Sequence, residues 1–357
     1  MKNIRIYISI IIFCSAIAAQ AQDTTNVHGF DVKKLKPIVQ VFGTAAYNIE
    51  NSKFAYYIGR AHLGFEYSFN DNWSSKIVLD RGRPTTFGDL IITDSTGSQL
   101  NVDWTYSEGA FYTMFLKFAS LRWRVNKNLI LEGGAILQNH YITQEKFWGF
   151  RYVAQTFQDL YWRIPSTDLG FIAYYTIDKH FSFDAALTNG EGPRINQDDI
   201  GNIKIAGGLN IDPCDKLKTR LYYHYRETKN SGGTSTEQLF SFFAGYKPFA
   251  RGRIGGEFNV VTNFQGVEDM NSYGYSIYGA YEVISKTEVF ARFDRVLFVM
   301  PEQIQTSTFN NGSALISGIS YSPVKGIFLS LNYQAFIPDG KENNIKSRVA
   351  FGMEYKF

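Results

Sequence analysis

Lys346-Ser347-Arg348-Val349-Ala350-Phe351-Gly352-Met353-Glu354-Tyr355-Lys356-Phe357 ends the chain, and its alternation decides how the rest is read. Ser347, Val349, Phe351, Met353, Tyr355 and Phe357 make one side, mostly apolar and finishing in aromatics. Lys346, Arg348, Ala350, Gly352, Glu354 and Lys356 make the other, charged or small. Successive side chains of a strand point to opposite faces, so this period of two describes a strand lying between lipid and water. One soluble sheet edge could show it once. Recurrence separates that case from a membrane barrel.

The pattern recurs upstream. Ile327, Leu329, Leu331, Tyr333, Ala335 and Ile337 alternate with Phe328, Ser330, Asn332, Gln334 and Phe336. Ile254, Phe258 and Val260 oppose Arg253, Glu257 and Asn259; Leu217, Leu221, Tyr223 and Tyr225 oppose Lys218, Arg220, Tyr222, His224 and Arg226. Ile203, Ile205, Leu209 and Ile211 oppose Asn202, Lys204, Gly208 and Asn210, and Phe181, Phe183, Ala185 and Leu187 oppose Ser182, Asp184, Ala186 and Thr188. Around 109–125 and 73–82 charges fall on both faces and the pattern blurs. The reading gives an all-β, antiparallel transmembrane barrel of about sixteen strands. They are expected at 38–48, 54–69, 72–82, 109–124, 128–140, 166–178, 180–189, 200–211, 216–228, 236–247, 252–264, 273–284, 286–298, 312–323, 326–337 and 344–357.

The connections alternate in length. Tight turns are expected at Asn70-Asp71, Asn126-Lys127, Asp178-Lys179, Asp212 to Asp215, Pro248 to Arg251, Ser285-Lys286 and Pro323 to Lys325, where Asn, Asp, Pro and Gly suit hairpins. Longer polar stretches at 83–108, 141–165, 190–199, 229–235, 265–272 and 299–311 lie between them. Short periplasmic turns and long outer loops are the habit of outer-membrane barrels. Phe69, Trp73, Trp123, Phe181, Tyr246, Tyr321 and Phe357 sit near the short turns; Tyr47, Phe111, Tyr112, Tyr225, Tyr275 and Phe336 sit toward the long loops. Two such belts are expected at the two headgroup levels, against outer-membrane lipid.

Composition agrees. Aromatics are 16% of 357 residues, with 30 Phe and 23 Tyr, an amount that would demand a very large dry core in a soluble protein. Lys2 and Arg5 precede an apolar run from Ile6 to Ala18, and Ala19-Gln20-Ala21 supplies a cleavage site, so residues 1–21 are expected to be a cleaved secretory signal and 22–37 a short periplasmic lead-in to a barrel over 38–357. Without Lys2 and Arg5, 34 basic residues remain against 33 acidic ones, which gives no support to a nucleic-acid partner. Only Cys214 is left after cleavage, so no intramolecular disulfide forms and no thiolate metal site is indicated. The five histidines stand outside any H-E-x-x-H, and no G-x-S-x-G, P-loop or G-x-G-x-x-G is present. No enzyme activity and no cofactor are expected.

Phe351-Gly352-Met353-Glu354-Tyr355-Lys356-Phe357 resembles the C-terminal strand that barrel-assembly machinery recognises, which makes Phe351, Tyr355 and Phe357 an assembly signal. Leu187-Thr188-Asn189-Gly190-Glu191-Gly192-Pro193 resembles members of the phosphate-selective porin family and their relatives. The resemblance implies a Gram-negative outer-membrane porin for small hydrophilic or anionic solutes, with the third outer loop folded inward; here that loop is 141–165, carrying Lys146, Arg151 and Arg163. Its two Trp and many other aromatics suit a loop that packs on a wall rather than one in open solvent. Inward faces carry Lys204, Lys218, Arg220, Arg226, Arg253, Arg292, Lys346 and Arg348 against Asp184, Glu257, Glu288, Asp294 and Glu354. This mixture departs from the Arg- and Lys-rich ladder of phosphate-selective porins and suits either mild anion preference or cross-strand pairing. A structural or adhesive barrel with a plugged lumen is the other reading, and a homotrimer is left open.

Overall fold

Backbone in hydrocarbon has no water to bond, so every N–H and C=O must be satisfied within the protein, and for strands this requires closure. The structure, a computed structural model, describes residues 30–82, 92–93, 99–100, 113–192, 202–230, 233–301, 310–340 and 344–357. Its strands are β1 (Leu35–Asn48), β2 (Lys53–Ser68), β3 (Trp73–Gly82), β4 (Ile92–Thr93), β5 (Gln99–Leu100), β6 (Thr113–Arg124), β7 (Leu129–Leu137), β8 (Thr167–Thr176) and β9 (Phe181–Thr188). There follow β10 (Lys204–Cys214), β11 (Leu217–Asn230), β12 (Gly233–Phe249), β13 (Gly252–Thr262), β14 (Asn271–Ile284), β15 (Thr287–Val299), β16 (Gly312–Tyr321), β17 (Ile327–Pro338) and β18 (Lys346–Lys356). All but β4 and β5 form one closed antiparallel barrel of sixteen strands, sealed where β1 pairs β18 from Gln40 opposite Lys356 to Asn48 opposite Arg348. Each expected strand is present.

Face sorting follows the alternation. In β18, Val349, Phe351, Met353 and Tyr355 are each more than two-fifths exposed, as suits a lipid-facing row, while Ala350 and Glu354 are buried inside. In β15, Val289 and Phe293 face out while Phe290, Arg292, Asp294 and Val296 are buried within. The blurred stretch at 109–125 has a specific cause. A β-bulge sets Val78 opposite Phe118 but Leu79 opposite Leu116, leaving Lys117 as the extra residue. One extra residue flips every side chain beyond it. Leu121 and Leu116 therefore both point outward, though one has an odd and the other an even number, while Phe118 and Lys117 are both buried.

Asn and Asp make the short turns by one device. Asn70 accepts from the N–H groups of Asn72 and Trp73, Asn126 from those of Asn128 and Leu129, and Asp178 from those of His180 and Phe181. The two bonds to Asp178 hold its carboxyl below the usual range. At the same end Trp73 stacks on Trp123 at 5.2 Å, and Phe69, Phe181, Tyr246, Tyr321 and Phe357 stand exposed.

Several expectations need correction. Strand β1 starts at Leu35, inside the supposed lead-in, and is preceded by a 3-10 turn at Val32–Lys34 whose first N–H groups are capped by Asp31. The stretch 229–235 is not a long loop: β11 and β12 remain paired as far as Asn230 opposite Gly233. With the short link between Asn48 and Lys53, this breaks the strict alternation of connection lengths. Strand β10 runs on to Cys214, so the turn lies past the supposed Asp212 start. Phe336 belongs to no outer belt, because it packs against the buried interior. A small ribbon, β4 with β5, lies within the long stretch 83–108. The signal segment, Phe111 and Tyr112 fall outside the described residues.

Candidate functional site

The connection between β7 and β8 carries two short helices, α1 (Ile142–Trp148) and α2 (Phe157–Tyr161), where an irregular loop was expected. Gly149 ends α1 in a left-handed conformation, φ 79°, and returns its N–H to the Glu145 carbonyl. Arg151 then ties the helices together, donating to Glu145 at 2.8 Å and Asp159 at 2.6 Å.

The loop is clamped to the inner wall. Phe147, Trp148, Phe150 and Tyr152 pack with Phe42, Phe243, Tyr278, Phe290 and Ile316, all inward positions of barrel strands. Phe157, Trp162 and Ile164 pack with Ile172, Tyr222, Leu239, Val261, Phe264 and Val296. Polar anchors lie between these clusters. Trp162 Nε1 donates to Ser272 Oγ at 2.8 Å, Gln158 Nε2 to Asn259 Oδ1 at 2.7 Å, and Tyr161 Oη to Asp294 Oδ2 at 2.9 Å. The Tyr152 hydroxyl meets Ser320 Oγ at 2.8 Å, and Gln334 Nε2 donates to the Val153 carbonyl at 3.1 Å. Wall glycines make room for the aromatics: any Cβ on Gly245 would strike the Phe147 ring, and one on Gly274 the Phe157 ring.

The predicted cations divide into groups. Arg220 makes a two-pronged bond to Asp184 at 2.8 and 3.0 Å and reaches the Asn139 carbonyl. Arg226 bonds Glu237 at 3.0 Å and the Gly190 carbonyl, and Lys218 bonds Asp212 at 2.6 Å. Arg253 pairs with Glu288 and donates to the Trp148 carbonyl; Arg292 bonds Asp294 at 2.7 Å and lies over the Trp148 ring. Lys204, 3% exposed, donates to Gln138 Oε1 at 2.9 Å. Arg348 donates to Gln334 at 2.7 Å. Lys146 and Arg163 lie exposed on the loop, and Arg163 with Arg348 and Lys346 borders a cavity of about 410 Å³ at the long-loop end. Most of the wall's positive charge is therefore neutralised where it stands. Removing one member of such a buried pair strands the other.

Two features escaped the sequence. Asp80 holds Lys117 at 2.6 Å beside His62 at 3.3 Å, a cluster hidden by the bulge that turns Lys117 inward. Asp168 explains the Asn-Gly-Glu-Gly stretch: its carboxylate accepts from Gly190 N at 2.6 Å and Gly192 N at 3.1 Å. Both glycines have φ of +83°, a conformation that favours Gly. A local signal, two glycines flanking one residue, was visible; its distant partner was not. Among the described residues no group of His, Cys, Asp and Glu is arranged to hold a metal ion.

No family model matches the sequence, and no curated protein matches it. Solved structures do match in fold. An anion-selective porin from Comamonas acidovorans superposes with TM-score 0.65 at 13% identity, covering 90% of this chain and 99% of that one. Salmonella typhi OmpF, solved in complex with daunomycin, gives 0.61 at 14% identity over 90% and 97%, and Pseudomonas putida OprB gives 0.61 at 11% over 91% and 94%. At these identities the likeness establishes the fold: the chain folds as outer-membrane porins do.

Proposed function

We propose that this protein is an outer-membrane porin of a Gram-negative cell, passing small hydrophilic solutes by diffusion, with the loop 141–165 as its constriction. The observation that carries this reading is the contrast between the faces of the wall, apolar outside and charged inside, together with a loop bonded across the inner wall from Thr143 on Asn210 to Val153 on Gln334. A wide barrel needs such a filling to select by size. The paired lumen charges favour weak rather than steep ion selection, and the cations that border the mouth cavity, Arg163, Lys346 and Arg348, tilt it toward anions. Export through a cleaved signal at Ala19-Gln20-Ala21 and recognition of Phe351, Tyr355 and Phe357 by the assembly machinery belong to the same reading. So does a homotrimer, which would cover part of the apolar outer face.

A plugged barrel has one observation in its favour: the loop's aromatics are almost wholly buried, Phe157 at 0% and Trp148 and Trp162 at 1% exposure. Conductance decides. Purified folded protein in a planar bilayer is expected to give discrete current steps, with a reversal potential under a salt gradient that favours anions slightly. Folded protein that inserts yet never conducts would overturn the porin reading in favour of the plug.

A further inference from the structure

The cavity at the long-loop end is unlike the rest of the lumen. It lies between the tip of the infolded loop and the wall of β1, β16, β17 and β18, and its lining mixes two chemistries. Arg163, Lys346 and Arg348 are cationic, while Tyr161, Phe298 and Phe336 are aromatic. Glu50 is the single acid among the described lining residues, and its carboxylate already accepts from the Ser347 N–H. Elsewhere on the inner wall Arg220, Arg226, Arg253 and Arg292 are matched by carboxylates within the sheet, while Lys204 and Arg60 rest on neutral glutamines. Arg163 and Lys346 form no salt bridge among the described residues, although Lys346 lies near enough to Glu50 to act on its carboxylate. Arg163 is also held at φ +53°, an unfavourable conformation for a side-chain-bearing residue, directly after buried Trp162. Such strain persists where surrounding packing imposes it, and it often marks a working position.

Phe298 and Phe336 belong to the aromatic packing that holds the loop on the wall, and both also line this cavity, beside Arg163, Lys346 and Arg348. About 410 Å³ falls within the ~300–1,000 Å³ typical of small-molecule sites. We infer that this cavity is a binding site for small organic anions, a carboxylate on a flat apolar body, captured at the mouth before passage. The carboxylate lies among Arg163, Lys346 and Arg348, and the apolar body lies on Phe336 and Phe298. This inference rests on the channel reading only for its consequence in transport, since binding itself needs no conduction.

The experiment uses the full mature chain in two formats, with benzoate as probe and acetate and inorganic phosphate as controls. By titration calorimetry in detergent, benzoate is expected to bind, and acetate and phosphate at least about tenfold more weakly. The double substitution Arg163→Gln with Lys346→Gln, at exposed positions that leave the wall pairs intact, is expected to weaken benzoate about tenfold. Phe336→Ser is expected to weaken benzoate and leave acetate unchanged. In bilayers, benzoate added from the long-loop side should interrupt the current at concentrations that acetate tolerates. Equal binding of phosphate and benzoate, or benzoate affinity untouched by either set of substitutions, overturns the site. Benzoate binding without any channel current keeps the site and removes the channel reading; current with no benzoate binding does the reverse.

Discussion

Replacing Trp162 with Ala tests whether the loop is truly locked onto the barrel wall. Trp162 is 1% exposed, its ring meets Phe157 at 5.3 Å and Phe264 at 6.4 Å, and its Nε1 donates to Ser272. Truncating a fully buried Trp costs about 3–5 kcal/mol. The sheet's own ladder does not run through this residue, so the loss should fall on the local equilibrium between docked and detached loop rather than on the barrel. At 1.4 kcal/mol per factor of ten, detachment becomes about 10²- to 4 × 10³-fold more frequent. Hydrogen exchange at the amides of 141–165 should accelerate accordingly, while amides of β13 to β17 keep their protection. Single-channel records should become noisier. Ser272→Ala, which removes this bond together with the one its hydroxyl donates to the Leu297 carbonyl, should cost about 1 kcal/mol in loop docking and accelerate exchange about fivefold. Loop amides as protected in Trp162→Ala as in the parent would refute the anchoring argument, since no other contact could conceal so large a loss.

Deleting 141–165 should raise single-channel conductance, and an unchanged value would show that the narrowest point lies elsewhere. Arg163→Glu should move the reversal potential toward cations, because that guanidinium borders an open cavity; adding Arg151→Glu should also loosen the loop by setting a third acid between Glu145 and Asp159, visible as faster exchange there. Gly190→Val should destabilise the barrel by about 1–3 kcal/mol in urea titration, since a side chain at φ +83° is strained and would crowd Arg226. No loss of stability would mean that the turn around Asp168 adapts.

The barrel was legible because its signal is local and repeated: each strand declares its two faces within about ten residues, as β18 and β17 do. Legibility failed where one residue changed the phase. At Lys117 the bulge merges two opposite alternations into a stretch that looks charged on both sides. The sheet positions of Arg220 and Arg292 were readable, but Asp184 as partner of the first and the Trp148 ring beneath the second were not. Those partners lie dozens of residues away in sequence. The loop's aromatic content showed that it must be covered, whereas the receptors on the wall, glycines 245 and 274 among them, have no local mark.

The chain alone, then, determined the architecture: alternation at period two and Asn and Asp at the turns are properties of neighbouring residues, and closure follows from backbone hydrogen bonding in hydrocarbon. Tertiary structure decided everything inside the cylinder. Which cations are quenched, where α1 and α2 rest, and why Arg163 and Lys346 stand beside aromatics depend on strands far apart in sequence meeting across a lumen. Short-range pattern specifies a wall, but only the closed wall specifies what faces what across it.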